Sequence, residues 1–119
     1  MTRLQRKMKR DAKNAIMKAT EWLPITPEYI QMEMDGYIFS LQHEKSIVLV
    51  PAFMVNTVHK NIVKQILKLF KDYSSLQKAA WFTSVNGYLN GDTPCTVFEK
   101  EPLMVLLAAR KYIEPVLHG

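Results

Sequence analysis

The sequence predicts a mainly α (α+β) fold, a helical domain carrying one antiparallel β-hairpin, and three observations lead there. Apolar residues recur at steps of three and four over most of the chain, the helical period. Two runs rich in β-branched and aromatic residues, 37–41 and 47–50, interrupt that period. Proline and glycine then divide the remainder into helix-sized pieces. With 119 residues, 48% of them hydrophobic and 23% charged, the chain is long enough to build an ordinary core without staples.

From the N-terminus, Leu4, Met8, Ala12, Ala15, Ile16, Ala19, Trp22 and Leu23 mark one face of an amphipathic helix that meets no Gly or Pro before Pro24. Residues 1–23 therefore form a basic amphipathic helix or arm. Thr26, Pro27 and Glu28 supply a cap, a first-turn proline and an early carboxylate, so a short helix runs over 27–34 and stops at Asp35-Gly36. Strands at 37–41 and 47–50, joined by a five-residue link from Gln42 to Ser46, make the hairpin, and Pro51 closes it. The short helix and hairpin make up the segment 24–55.

Residues 56–119 read as helical. Asn56 or Thr57 caps a helix with Val58, Ile62, Val63, Ile66, Leu67, Leu69 and Phe70 inward, ending near Asp72. Ser74 or Ser75 restarts the chain into Leu76, Ala79, Ala80, Trp81 and Phe82. A turn-rich run from Ser84 to Pro94 follows, with Asn86-Gly87 and Asn90-Gly91 as turn signals. Pro94 opens a short helix through Phe98, and Pro102 opens the last one, with Leu103, Leu106, Leu107, Ala109, Tyr112 and Ile113 inward. The three segments are expected to form one compact unit.

The net charge of +5 is unevenly placed. In residues 1–18, Arg3, Arg6, Lys7, Lys9, Arg10, Lys13 and Lys18 face Asp11 alone, so this segment carries more than the whole excess and the rest sums to near neutrality. The single cysteine, Cys95, excludes an internal disulfide and a cysteine-based zinc site, and suits a reducing compartment. No apolar run reaches the length of a membrane span, and no apolar stretch of signal-peptide type follows the basic start. A cytoplasmic protein without a membrane partner is the expectation.

Chemical constellations are scarce. His43, His59 and His118 have no ligand spacing, so no metal site is expected. No base is nominated for Cys95, which reads better as a small semi-buried filler than as a nucleophile. Glu99 and Glu101 suit the start of the following helix better than acid-base work. Asn90-Gly91-Asp92 lacks the further ligands of a calcium loop and the lysine of a phosphate loop, so it is a tight turn. The chain reads as a non-enzyme, with no cofactor.

The basic segment is the first positive signal. Arg3, Arg6, Lys7, Arg10 and Lys13 share one broad helical stripe that suits a phosphate backbone, opposite the Leu4, Met8, Ala12, Ile16 face. A solvated face on a docked helix explains the same residues. The apolar face is too weak for firm membrane insertion.

The second signal is the run Ala80-Trp81-Phe82-Thr83-Ser84-Val85-Asn86-Gly87-Tyr88-Leu89-Asn90-Gly91-Asp92-Thr93-Pro94. Val97-Phe98, Glu101-Pro102, Val105-Leu106 and Ala108-Ala109-Arg110 follow it. This half of the chain, 56–119, resembles the C-terminal toxin-binding domain of Xre/MbcA/ParS-type antitoxins, in which an alanine-tryptophan helix end leads into an asparagine turn, a leucine-x-glycine and a proline-capped helix. Residues 37–41 with Val50-Pro51-Ala52-Phe53 resemble the wing-like hairpin that precedes this domain in small relatives. A helix-turn-helix is missing from the pattern. Only 26–35 separates the first helix from the hairpin, and Glu28, Glu33 and Asp35 make it acidic.

The resemblance implies an antitoxin that neutralises a cognate protein toxin of the RES-domain type, with partner-binding residues among Trp81, Asn86, Tyr88, Leu89, Asn90, Gly91 and Pro94. In that family the turn and the end of the chain help form the toxin contact. The physical reading of the same residues has Gly91 supplying a backbone geometry that side chains resist. Trp81 and Leu89 pack the turn on the last helix, and Tyr88 and Asn90 are exposed. The rival functions are a stand-alone DNA-binding transcriptional regulator of a mobile element and a non-enzymatic oligomerisation module. A homo-oligomer is expected.

Overall fold

The computed structural model describes residues 1–114. Helix α1 spans Arg3–Ala19 and opens with a capping box: Thr2 Oγ1 accepts from the Gln5 amide, and Gln5 Oε1 accepts from the Thr2 amide. It stops four residues short of the expected Leu23, because Pro24 disfavours helical backbone in the turn before it and a strand partner is available. Trp22–Pro24 forms β1, and the Trp22 indole donates back to the Ile16 carbonyl at 3.2 Å.

Helix α2, Pro27–Met34, lies where the sequence places it, with the Thr26 hydroxyl accepting from the Tyr29 amide. Gly36, at φ +86°, turns the chain away. The expected two-stranded hairpin is a three-stranded antiparallel sheet, ordered β1-β3-β2, with β2 at Leu41–Glu44 and β3 at Ile47–Pro51. Residues 37–40 have strand composition but join no ladder. Both the amide and the hydroxyl of Ser40 donate to Glu33 Oε2, at 2.8 and 2.7 Å, so α2 holds this stretch while it buries Ile38 and Phe39. The strand begins at Leu41 instead, and the connection shrinks from five residues to the pair Lys45-Ser46.

Pro51 ends β3 and leads directly into α3, Ala52–Asn56, a helix the sequence pattern does not announce. Helix α4 spans Lys60–Leu69, so neither Asn56 nor Thr57 caps it. The buried Thr57 hydroxyl accepts from the His59 amide at 3.0 Å and donates to Glu99 Oε2 at 3.2 Å. That bend turns Val58 outward, 83% exposed, rather than inward. Helix α5, Ser75–Thr83, starts with a capping box between Ser74 and Gln77.

A 3₁₀ turn at Gly87–Leu89, α6 at Pro94–Val97 and α7 at Pro102–Ile113 complete the described chain. Helix α7 packs on α4 and on the 3₁₀ turn through Val105, Leu106, Ala108 and Ala109. Leu103, Leu107 and Tyr112, expected inward, are exposed, because small residues let α4 and the turn approach a different arc of the helix. One hydrophobic cluster runs from Ile16 through Phe39, Met54, Phe70, Phe82 and Phe98 to Ala109 and ties the N-terminal, sheet and helical parts together.

Candidate partner groove and basic helix

The run from Ser84 to Pro94 is built around Asn86. Its amide donates to the Asp92 carbonyl, and its carbonyl accepts from the amides of Leu89 and Gly91, each at 3.0 Å. Its side chain accepts from the Tyr88 amide at 2.9 Å. Asn90, at φ 57°, and Gly91, at φ 82°, then take the left-handed backbone that closes the loop. Thr93 precedes Pro94 at the first position of α6.

This geometry sorts the residues that the resemblance singles out. Leu89 and Pro94 are buried and hold the loop on the body. Asn86 is half-buried and engaged four times over by its own loop. Tyr88, Asn90 and Gly91 are exposed. Trp81 is buried on the core side of the loop, as a packing residue would be, with Phe70 edge-on at 5.0 Å and Tyr112 tilted at 6.2 Å. The end of the chain, which the resemblance also assigns to the toxin contact, lies outside the described residues, as does His118.

Between the end of α5, this loop and α7 opens a groove of about 460 Å³. Ala80, Trp81, Val85, Tyr88, Ala108 and Tyr112 give it a largely apolar lining, and Gln77, Ser84 and Asn86 supply polar edges. The Trp81 indole N–H is buried without a hydrogen-bond partner. Val85 and Tyr88 at the rim are 76% and 61% exposed, and Met104 and Leu107 continue the exposed apolar surface along α7. Sequence reasoning missed Val85, Ala108 and Tyr112 as lining residues. Their relation depends on how α7 crosses α5, which no local pattern encodes.

The basic stripe is split by the fold. Arg3, Arg6, Lys7 and Arg10 are exposed on the outer turns of α1. Lys13 is half-buried, and its Nζ donates to the Gln42 carbonyl of β2 at 3.0 Å, so it fastens α1 to the sheet instead of standing free. Sequence reasoning also missed a second basic surface. Residues 45–71 carry Lys45, Lys60, Lys64, Lys68 and Lys71 without an acidic residue, and the four-residue spacing of Lys60, Lys64 and Lys68 on α4 is visible in the sequence. Lys60 Nζ donates to the Val55 carbonyl, and Lys64 Nζ sits 4.9 Å above the Tyr37 ring centroid. The converse block, 19–44, holds Glu21, Glu28, Glu33, Asp35 and Glu44 without a Lys or Arg.

Of the remaining chemical candidates, His59, Glu99 and Cys95 have structural partners, whereas the buried Nδ1 of His43 has none among the described residues. His59 Nε2 lies 3.3 Å from Glu99 Oε2, which also receives the Thr57 hydroxyl, so Glu99 clasps the start of α4 instead of facing the start of α7. Cys95 is buried, with its Sγ 3.4 Å from the Thr93 hydroxyl. Among the described residues, no three His, Cys, Asp or Glu side chains are grouped to hold a metal ion. No described helix is long and apolar enough to cross a membrane. Comparison of the chain with protein-family models, with curated proteins and with solved structures finds no match.

Proposed function

We propose that the chain is an antitoxin-like binding protein of the cytoplasm, whose groove between α5, the 84–94 run and α7 takes up part of a cognate protein toxin. It acts by burying surface, without catalysis. The observation that carries this reading is the open, largely apolar groove lined by Ala80, Trp81, Val85, Tyr88, Ala108 and Tyr112. Exposed Tyr88 and Tyr112 at the rim belong to the residue type that dominates protein interfaces.

The likeness of residues 80–94 to the toxin-binding domain of Xre/MbcA/ParS-type antitoxins supports the same reading and makes a RES-domain protein the expected toxin. The test is co-expression with the product of the adjacent gene, followed by pull-down. Capture that is lost when Val85→Asp and Tyr88→Asp charge the rim supports the proposal. Toxicity unaffected by this protein overturns it.

The exposed Arg3, Arg6, Lys7 and Arg10 favour a second activity, contact with DNA phosphates, either beside toxin binding or, on the rival reading, as a transcriptional regulator acting alone. Duplex DNA binding that weakens steeply with salt supports it, and no detectable binding at low salt removes it.

A further inference from the structure

The outer face of α4 carries charge of one sign. Its exposed residues are Asn61, Lys64, Gln65 and Lys68, two cations and two amides, with no carboxylate and no large apolar side chain among them. At helical spacing these four fall within one arc of about 100°, opposite the buried Val63 and Ile66. Lys64 and Lys68, one turn apart, repel each other, a cost that an anion lying beside both removes.

Hollows on both flanks of this ridge extend it. Lys64 and Lys68 line one together with Lys78 of α5, and Lys68 lines the other together with Lys71 and with Arg110 of α7. Lys68 belongs to both, so cations from three parts of the chain form one continuous surface. Among the described residues, none of the five stands in an ion pair. Glu33 is the one carboxylate in either lining, and its Oε2 already accepts from the amide and hydroxyl of Ser40. Asp35 and Asp72 border the surface in the chain, beside Gly36 and Lys71, so the positive excess centres on α4 and its α7 flank.

We propose that this surface binds the phosphodiester backbone of a nucleic acid, independently of α1 and without reading sequence. Lys64 and Lys68 lie about 6 Å apart along the helix axis, with Lys71 beyond them and Arg110 across the groove. That is a row of charges, which fits successive phosphates better than one small anion. Lysine and amide side chains are ordinary donors to phosphate oxygens, and such contacts carry no sequence information. The exposed arc of α4 lacks the aromatic and aliphatic anchors of a protein interface, and it has no apolar face to enter a bilayer.

Fluorescence anisotropy of the full chain with a labelled DNA duplex of arbitrary sequence, over a salt series, tests this. A chain with alanine at Arg3, Arg6, Lys7 and Arg10 is expected to keep binding at low salt, equally to a scrambled duplex. Adding Lys68→Gln, Lys71→Gln and Arg110→Gln, all at exposed positions, weakens that binding by about tenfold or more and lowers the salt slope by about one unit for each contact removed. Lys68→Arg with Lys71→Arg retains it, and the circular dichroism spectrum is the same throughout. Binding that disappears with the α1 charges alone, or that ignores the three glutamines, overturns this proposal and leaves the reading of α1 intact. An intact chain that binds no duplex at low salt overturns both. Polyglutamate that competes as well as unlabelled duplex does, or strong discrimination between sequences, also overturns the proposal.

Discussion

The Tyr112 ring leans on the Trp81 indole with centroids 6.2 Å apart and planes at 52°, joining the last turn of α7 to the end of α5 across the groove. Phe70 and Tyr73 meet Tyr112 edge-on from the other side, at 6.2 and 6.1 Å. Tyr112 is nevertheless 59% exposed, so it serves the core with one face and the groove with the other. Tyr112→Ala is expected to cost about 1 kcal/mol in urea denaturation, the scale of an aromatic pair. Its effect on capture of the partner should exceed that loss.

Leu89 and Tyr88 are neighbours with opposite assignments. Leu89 is 6% exposed beneath α7, so Leu89→Ala should destabilise the chain by about 2–4 kcal/mol. Tyr88→Ala should stay within about 0.5 kcal/mol, because most of that side chain already lies in solvent. Equilibrium unfolding of both variants separates the loop's anchor from its exposed face.

The loop closure isolates backbone strain from packing. A Cβ at Gly91 meets nothing within 4 Å, so Gly91→Ala is charged only for its left-handed backbone, about 1 kcal/mol. Asn90→Gly, at a position already left-handed, should be neutral to slightly stabilising. Thermal melts of the two variants give the comparison.

Much of this architecture is legible in the sequence. Capping and proline signals are local, which is why Thr26-Pro27, Ser74 and Pro102 mark helix starts that the structure keeps. Failures arise where a distant partner decides. Trp22 and Leu23 continue the helical period of α1 but pair with Pro51 and Val50, and 37–40 has strand composition but is claimed by Glu33. On α7 the apolar residues outnumber those the core can take, so periodicity alone does not select the buried arc. In the candidate site, the turn residues were readable one by one, whereas the groove exists only through the crossing of α5 and α7. The net charge, being a sum, hid adjacent acidic and basic blocks.

The hydrogen bond from Lys13 to Gln42 divides the basic helix into a free part and a fastened part. Alanine at Arg3, Arg6, Lys7 or Arg10 is expected to lower the salt dependence of duplex DNA binding by about one unit of slope for each phosphate left unneutralised. Lys13→Ala should leave the slope unchanged and loosen α1, as amide exchange over 3–19 would report.

Uptake of a toxin by the groove beside Trp81 is the central claim. Its most direct measurement is growth of cells carrying the adjacent reading frame under inducible control, with this chain supplied intact or with Val85→Asp and Tyr88→Asp together. The intact chain is predicted to restore growth and capture the partner, and the charged rim to lose both while the chain stays folded. Growth arrest that the intact chain does not relieve, or rescue that survives the charged rim, would contradict it.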